Sequence, residues 1–181
     1  VKKKIAEKKP VRLYLLKARQ LGMSTWTEGL LYWFLTHTPH SDGLVVAHDT
    51  DSSQKILSML QLMWTEMPDH LRPQRRISNR REVWFANPKY PEDGSKNPGL
   101  QSRAIIATAD NRNFGVGGTI QFAHLSEFSR YPEVNKHILE TMKTFRQAVP
   151  RKPGTFVIYE TTARGFNYAK DVWDDEKNGI E

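Results

Sequence analysis

Cysteine is absent from the chain, so it can form neither a disulfide framework nor a thiolate metal site, and a reducing compartment is the simplest setting. Zinc-finger readings are excluded with it. Long apolar runs are missing too: the stretch around Leu30 to Leu35 falls far short of the roughly 20 residues that span a bilayer. The N-terminal Val1-Lys2-Lys3-Lys4 is basic but has no apolar core behind it, which excludes a secretion signal and makes the chain read as soluble. The six histidines are scattered without metal-ligand spacing. No internal repeat and no low-complexity segment interrupts the sequence.

What is present is enough for one buried core. At 181 residues, 38% hydrophobic and 26% charged, the chain is short for two ordinary domains, and a single domain over 1–181 is expected. Lysine and arginine number 27 against 20 acids, a formal charge of +7 that favours polyanionic partners such as nucleotides or nucleic acid. Solubility alone also accounts for an excess of that size. Beginning inside a basic, helix-prone stretch and ending near the acidic run Asp174-Asp175-Glu176, the chain reads as a piece of a longer protein.

Apolar runs and turn signals alternate along the sequence. Arg12 to Leu16 reads as a strand, followed by a polar turn and a helix from Ser24 to Thr36. Gly43 to Ala47 is a second strand, after which Asp49, Thr50 or Asp51 can cap a helix carrying Ile56, Leu57, Leu60 and Met63, ended by Pro68. Glu82 to Ala86, Ser102 to Thr108, Thr119 to Leu125 and Thr155 to Tyr159 read as further strands. Helices are expected from Pro132 to about Val149 and from Tyr168 to Lys177. Strands that are apolar almost throughout, alternating with helices, predict an α/β fold with a mostly parallel sheet covered on both faces.

The segment Lys17-Ala18-Arg19-Gln20-Leu21-Gly22-Met23-Ser24-Thr25 lies between a strand and a helix, where backbone N–H groups and a helix N-terminus can cradle phosphate oxygens. Against GxxxxGK[ST], Gly22 and Ser24 fit, Lys17 replaces the first glycine, and Met23 stands where the lysine usually is. The loop still requires a cation, and Lys17 at its other end can reach inward as Met23 cannot. Arg19 adds a planar cation suited to bidentate phosphate contact. Ser24 is placed to ligate Mg²⁺. The same residues would also serve as an ordinary strand-to-helix turn with solvated cations.

Two further segments join it. Thr119 to Leu125 runs into Ser126-Glu127, putting a carboxylate at the carboxyl end of a strand, where open α/β sheets bind ligands and where Glu127 can polarise a water. The alternative makes Glu127 a helix-cap acid and His124 a satisfied sheet residue. Phe156 to Tyr159 delivers Glu160-Thr161-Thr162-Ala163-Arg164-Gly165 to the same edge, where small hydroxyl residues could sense a γ-phosphate, although Thr-Thr-Ala before Gly is also ordinary turn chemistry. Arg72, Arg75, Arg76, Arg80 and Arg81 form a basic cluster that reads as a solvated loop or a phosphate contact surface. Trp26, Tyr32, Trp33 and Phe34 have helical spacing and are expected in the core rather than as a base-stacking platform.

KARQLGMST, then HLSEF after an apolar strand, then ETTARG followed by FNYAKDVW, together resemble the ATPase domain of tailed-phage terminase large subunits over nearly the whole chain. The resemblance implies a RecA-type (ASCE, P-loop NTPase) fold and ATP hydrolysis with Mg²⁺. It implies that Lys17 and Arg19 are the phosphate-loop cations, that Glu127 is the catalytic glutamate, and that Ser24 holds the metal. It further implies that Thr161, Thr162 and Ala163 form the coupling motif. The partners it implies are double-stranded DNA, the portal protein, the small terminase subunit and copies of the chain in a ring, at the procapsid in the host cytoplasm. Two departures stand out: Ser126 replaces the metal-associated aspartate, and Val116 falls where an arginine is common, with Arg112 as the nearest substitute. The resemblance also implies that an upstream adenine-contacting segment and a downstream nuclease domain are not in this chain, so weakened ATP binding and no DNA cleavage are expected. A helicase-like or other nucleic-acid-remodelling ATPase, and a basic DNA-binding or nuclease module without nucleotide chemistry, are the rival readings.

Overall fold

A computed structural model describes residues 1–92, 94, 96–115 and 117–178, apart from the side chains of Glu176 and Asn178. The strands are β1 (Val11–Leu16), β2 (Asp42–Ala47), β3 (Ile77–Ser78), β4 (Glu82–Phe85), β5 (Ser102–Thr108), β6 (Phe122–Ser126) and β7 (Phe156–Thr161). They form one sheet in the order β1-β7-β6-β2-β5-β4-β3. The five strands from β1 to β5 run parallel, while β4 and β3 add an antiparallel edge, so the sheet is mixed. This is the expected RecA-type α/β arrangement, with β7 inserted between β1 and the strand that ends in Ser126.

The period of two within each strand separates the two faces. Val45 and Ala47 of β2, Phe122 of β6, and Phe156 and Ile158 of β7 share one apolar cluster with Leu31, Phe34, Leu35, Ile56, Leu57 and Leu60. Those last six come from α2 (Met23–His37) and α3 (Thr50–Glu66). Leu44, Val46, Ala123, Leu125, Val157 and Tyr159 fill the other cluster. They pack there with Phe128, Tyr131, Ile138, Met142 and Phe145 from the helices after β6, and with Val172 of α6 (Tyr168–Asn178). Both faces are therefore covered, and the strands read as continuous apolar runs because each side has its own helices. Gly43 permits close approach, since a Cβ there would lie 2.6 Å from Leu31 Cδ1 and would make that buried side chain shift. Asp49 caps α3 by accepting from Ser52 N at 2.7 Å.

Four expectations are corrected by the structure. The helix from Pro132 to Val149 is broken into α4 (Tyr131–Val134) and α5 (Ile138–Ala148), because Asn135 is extended. Its side-chain amide donates to Ala109 O at 2.8 Å and its Oδ1 accepts from His137 N at 2.9 Å. The strand expected from Thr119 begins only at Phe122, since Ile120 N and Gln121 N bond to Ala148 O and Asp42 O outside the β6 ladder. The last strand runs two residues further than expected: Glu160 and Thr161 pair with Leu15 and Leu16 of β1. Of the four aromatics after the phosphate loop, Tyr32 and Phe34 are in the core, but Trp26 and Trp33 are 42% and 50% exposed, Trp33 stacking on His37.

No helix among the described residues is long and apolar enough to cross a membrane. A short basic helix, α1 (Lys2–Ala6), precedes β1 and buries nothing.

Candidate active site

The segment 17–25 begins pinned to the sheet, because Lys17 N donates to Thr161 O at 3.0 Å and extends the β1–β7 pairing. Gln20 and Gly22 then take left-handed backbone conformations, at φ 61° and 69°, and turn the chain into α2. At Gly22 a Cβ would touch nothing within 4 Å, so glycine is favoured there by the backbone angle and not by space. The 15-residue α2 thus presents its N-terminal N–H groups and positive dipole end at the loop. Ser24 sits in the first turn, and Lys17 Nζ lies 3.5 Å from its Oγ. Ala18, Arg19, Gln20, Leu21 and Thr25 are exposed and Met23 is half-buried, so Lys17 is the cation that the fold turns inward.

The acidic side is also built by a left-handed residue. Glu127 follows β6 with φ 54°, a conformation that an ordinary side chain adopts at a cost of roughly 1–2 kcal/mol. Its carboxylate lies 3.8 Å from Lys17 Nζ and accepts from Thr162 Oγ1 at 3.3 Å. Glu127 stands at the N-cap of the 3-10 turn Phe128–Arg130 without a side-chain bond to it, while the helix that begins at Tyr131 has Arg130 at its cap. Thr161 Oγ1 donates to Ser129 Oγ at 2.6 Å and accepts from Ser129 N at 3.1 Å, which ties the ETTARG turn to the segment after Glu127. Ala163 is exposed and lines a small, mostly apolar cavity of about 230 Å³ with Tyr14, Leu16, Phe166 and Trp173. Lys17, Ser24, Glu127 and Thr162 are therefore brought together, and Arg19 stands outside the group.

Three buried residues that sequence reasoning left without a role complete the site. Glu160 is fully buried; its Oε1 receives the Lys17 ammonium at 2.6 Å and the Ser24 hydroxyl at 2.6 Å. Its Oε2 meets His124 Nε2 at 2.8 Å, and His124 Nδ1 meets Glu28 Oε1 of α2 at 2.6 Å. Burial raises the Glu160 carboxyl, yet the bonds from His124, Lys17 and Ser24 overcome this and hold it at about 2. Burial likewise lowers His124, but bonds to Glu160 and Glu28 lift it to about 9, so the ring is an imidazolium between two acids. Glu28 is pushed above the usual carboxylate range by burial, against the pull of His124, and its Oε2 has no hydrogen-bond partner among the described residues. The signal was periodic. His124 and Ser126 follow Phe122 at steps of two, and Glu160 follows Phe156 and Ile158 in the same way. Glu28 precedes Leu31 and Leu35 on the buried side of α2.

Ser126 is buried at the end of β6 and pairs in register with Glu160 of β7. Among the described residues no three His, Cys, Asp or Glu side chains are grouped to hold a metal ion by themselves. The donors at the loop are oxygens, the Ser24 hydroxyl beside the Glu160 and Glu127 carboxylates, which suits Mg²⁺ and the few protein ligands it takes. A cavity of about 740 Å³ lies elsewhere, against β2 and β5, and is lined in part by Arg80, Arg81 and Arg103. Arg112 is exposed, and Val116 lies outside the described residues. In the basic loop, Arg72 and Arg75 stack on Trp64 at 5.1 and 3.7 Å and Arg76 on Trp84 at 5.2 Å, while Arg80 and Arg81 are exposed.

No family model matches the sequence, and no curated protein matches it. In structure the chain is similar to the large terminase ATPase domain of Thermus phage P74-26, with a TM-score of 0.56 and 22% identity. It is similar to an arginine-to-alanine mutant of that domain at 0.54 and 21%. Each alignment covers 88% of this chain and 62% of the other. The chain thus has the fold of a terminase ATPase domain and spans less than two thirds of that domain's length.

Proposed function

We propose that this chain is an ATP hydrolase and that it works as the motor part of a viral terminase large subunit, moving double-stranded DNA into procapsids. The observation that carries the reading is the approach of Lys17 to Glu127, 3.8 Å apart at the carboxyl edge of the sheet and beside the N-terminus of α2. A cation able to neutralise β- and γ-phosphates and a carboxylate able to orient water thus converge on one point beside the loop; at 3.8 Å they are in contact, and a phosphoryl group bound there would have to part them.

In this reading the N–H groups opening α2 and the Lys17 ammonium bind the triphosphate, and exposed Arg19 adds charge from the rim. Water attacks the γ-phosphorus in line with the bond to the bridging oxygen, which leaves as part of ADP. Glu127 orients that water and takes up its proton. Mg²⁺, when bound, neutralises the charge that develops on the β- and γ-oxygens. Ser24 would hold it, with Ser126 at the adjoining strand end able to orient a water but bringing no charge. Thr162, bonded to Glu127, and Thr161, bonded to Ser129, link the hydrolytic carboxylate to the turn that leads to α6. That linkage supports a coupling role for Thr161, Thr162 and Ala163. The assembly proposed for the working protein is a homo-oligomeric ring at the portal, with the portal protein and small subunit as partners, in the host cytoplasm.

Hydrolysis by the purified chain tests this. Wild type should release phosphate from ATP with Mg²⁺, and Lys17→Ala should lower turnover by on the order of 10²–10³-fold without changing the circular dichroism spectrum. Equal turnover in both proteins would remove Lys17 from the mechanism.

A further inference from the structure

Ser126 leaves the site one carboxylate short at the end of β6, and the sheet supplies one from the next strand. We propose that Glu160 of β7 is the metal-positioning carboxylate of this site, taking on from a neighbouring strand the charge that Ser126 lacks; the inference rests on the ATP-binding reading above. Ser126 and Glu160 are register partners, so the two positions lie side by side at the carboxyl edge. Glu160 Oε1 accepts the Ser24 proton at 2.6 Å.

That hydrogen bond has a direct chemical use. A serine hydroxyl has one proton and two lone pairs, and it can give a lone pair to a cation only if its proton is directed elsewhere. With its proton on Glu160, Ser24 turns a lone pair toward the loop. The carboxylate in turn adds negative charge where a hydrated divalent cation would lie, as outer partners of metal ligands do.

The remaining contacts fix the carboxylate in this role. Oε2 is held by His124 at 2.8 Å, which is itself held by Glu28 at 2.6 Å, and both side chains are completely buried. Glu160 therefore cannot rotate away, and Oε1 remains aimed at Ser24 and Lys17. Were Glu160 only a counter-ion for Lys17, neither the Ser24 bond nor the two-step brace behind it would be needed.

The test separates metal from nucleotide. Affinity for a fluorescent ADP analogue is measured with and without Mg²⁺ in wild type, Glu160→Gln and Glu160→Gln/Ser126→Asp. Glu160→Gln should lose about 10–100-fold of the gain that Mg²⁺ confers, read as the ratio of its own affinities with and without the metal. Ser126→Asp should restore much of that gain, which a merely structural role for Glu160 would not allow. If Glu160→Gln does not fold, Glu160→Asp keeps the buried charge but withdraws it from Ser24, and should lose the Mg²⁺-dependent gain on its own. An unchanged Mg²⁺ gain in the folded variant overturns the proposal, as does equal weakening with and without metal that Ser126→Asp does not relieve. Absence of analogue binding by wild type under both conditions overturns the ATP-binding reading itself, and this inference with it.

Discussion

The two ends of the sheet handle charge in opposite ways. At the β1-β7-β6 end, Lys17, Glu28, His124 and Glu160 are buried or nearly so and bonded in one chain of contacts. At the β4-β3 end, Arg72, Arg75 and Arg76 lie on the faces of Trp64 and Trp84 while Arg80 and Arg81 remain in solvent. Buried charge requires partners that the fold must place within hydrogen-bond distance, whereas surface charge requires almost none. Charges of opposite sign thus build a fixed chemical constellation at one end, and positive charge an adaptable surface at the other.

The comparison predicts a steep gradient in sensitivity. His124→Ala should be the most damaging change, because it leaves Glu28 and Glu160 buried without their shared partner. A loss of roughly 3–5 kcal/mol in unfolding free energy is expected, measured by denaturant titration. A loss no larger than that of a surface substitution would mean that the network does not hold the sheet.

A smaller effect follows from pH. His124 is raised from the ordinary 6.5 to about 9 in the folded chain, so its contribution is complete below pH 6.5 and is lost as pH rises toward 9. Glu28, also raised, acts with the same sign, whereas Glu160, held at about 2, loses its contribution only in acid, below the ordinary carboxylate range. The melting temperature should therefore fall between pH 6.5 and 9, and a flat profile there would contradict the imidazolium assignment.

The smallest effects belong to the other end. Arg75→Ala should cost about 0.5–1 kcal/mol through its loss from the Trp64 face. Arg80→Ala should leave the unfolding midpoint where it is. If Arg80→Ala proves as disruptive as His124→Ala, the contrast between the two ends is lost.

Much of this was legible in the residues. The strand–loop–helix around Lys17 to Ser24 and the strand ending in Ser126-Glu127 could be read from apolar runs meeting glycine and polar residues, because both are local patterns. The break at Asn135 could not, since it depends on Ala109, 26 positions away in sequence. Glu160 reads in the sequence as the start of a turn, whereas in the structure it lies inside a fully buried parallel strand, where β-propensity disfavours an acid. Only the distant Lys17, Ser24 and His124 make it tolerable there. His124 gave no metal spacing and so no role, yet its step of two from Phe122 already marked the face that Glu28 occupies. Local pattern located the elements, and non-local pairing decided which charges they could bury.

The account depends on Glu127 acting across a phosphoryl group from Lys17, and Glu127→Gln examines that most directly. Binding and hydrolysis of ATP with Mg²⁺ should be measured on the same preparation. Nucleotide affinity should stay close to that of wild type while turnover falls by on the order of 10²–10⁴-fold. Hydrolysis at the wild-type rate by Glu127→Gln would contradict the account.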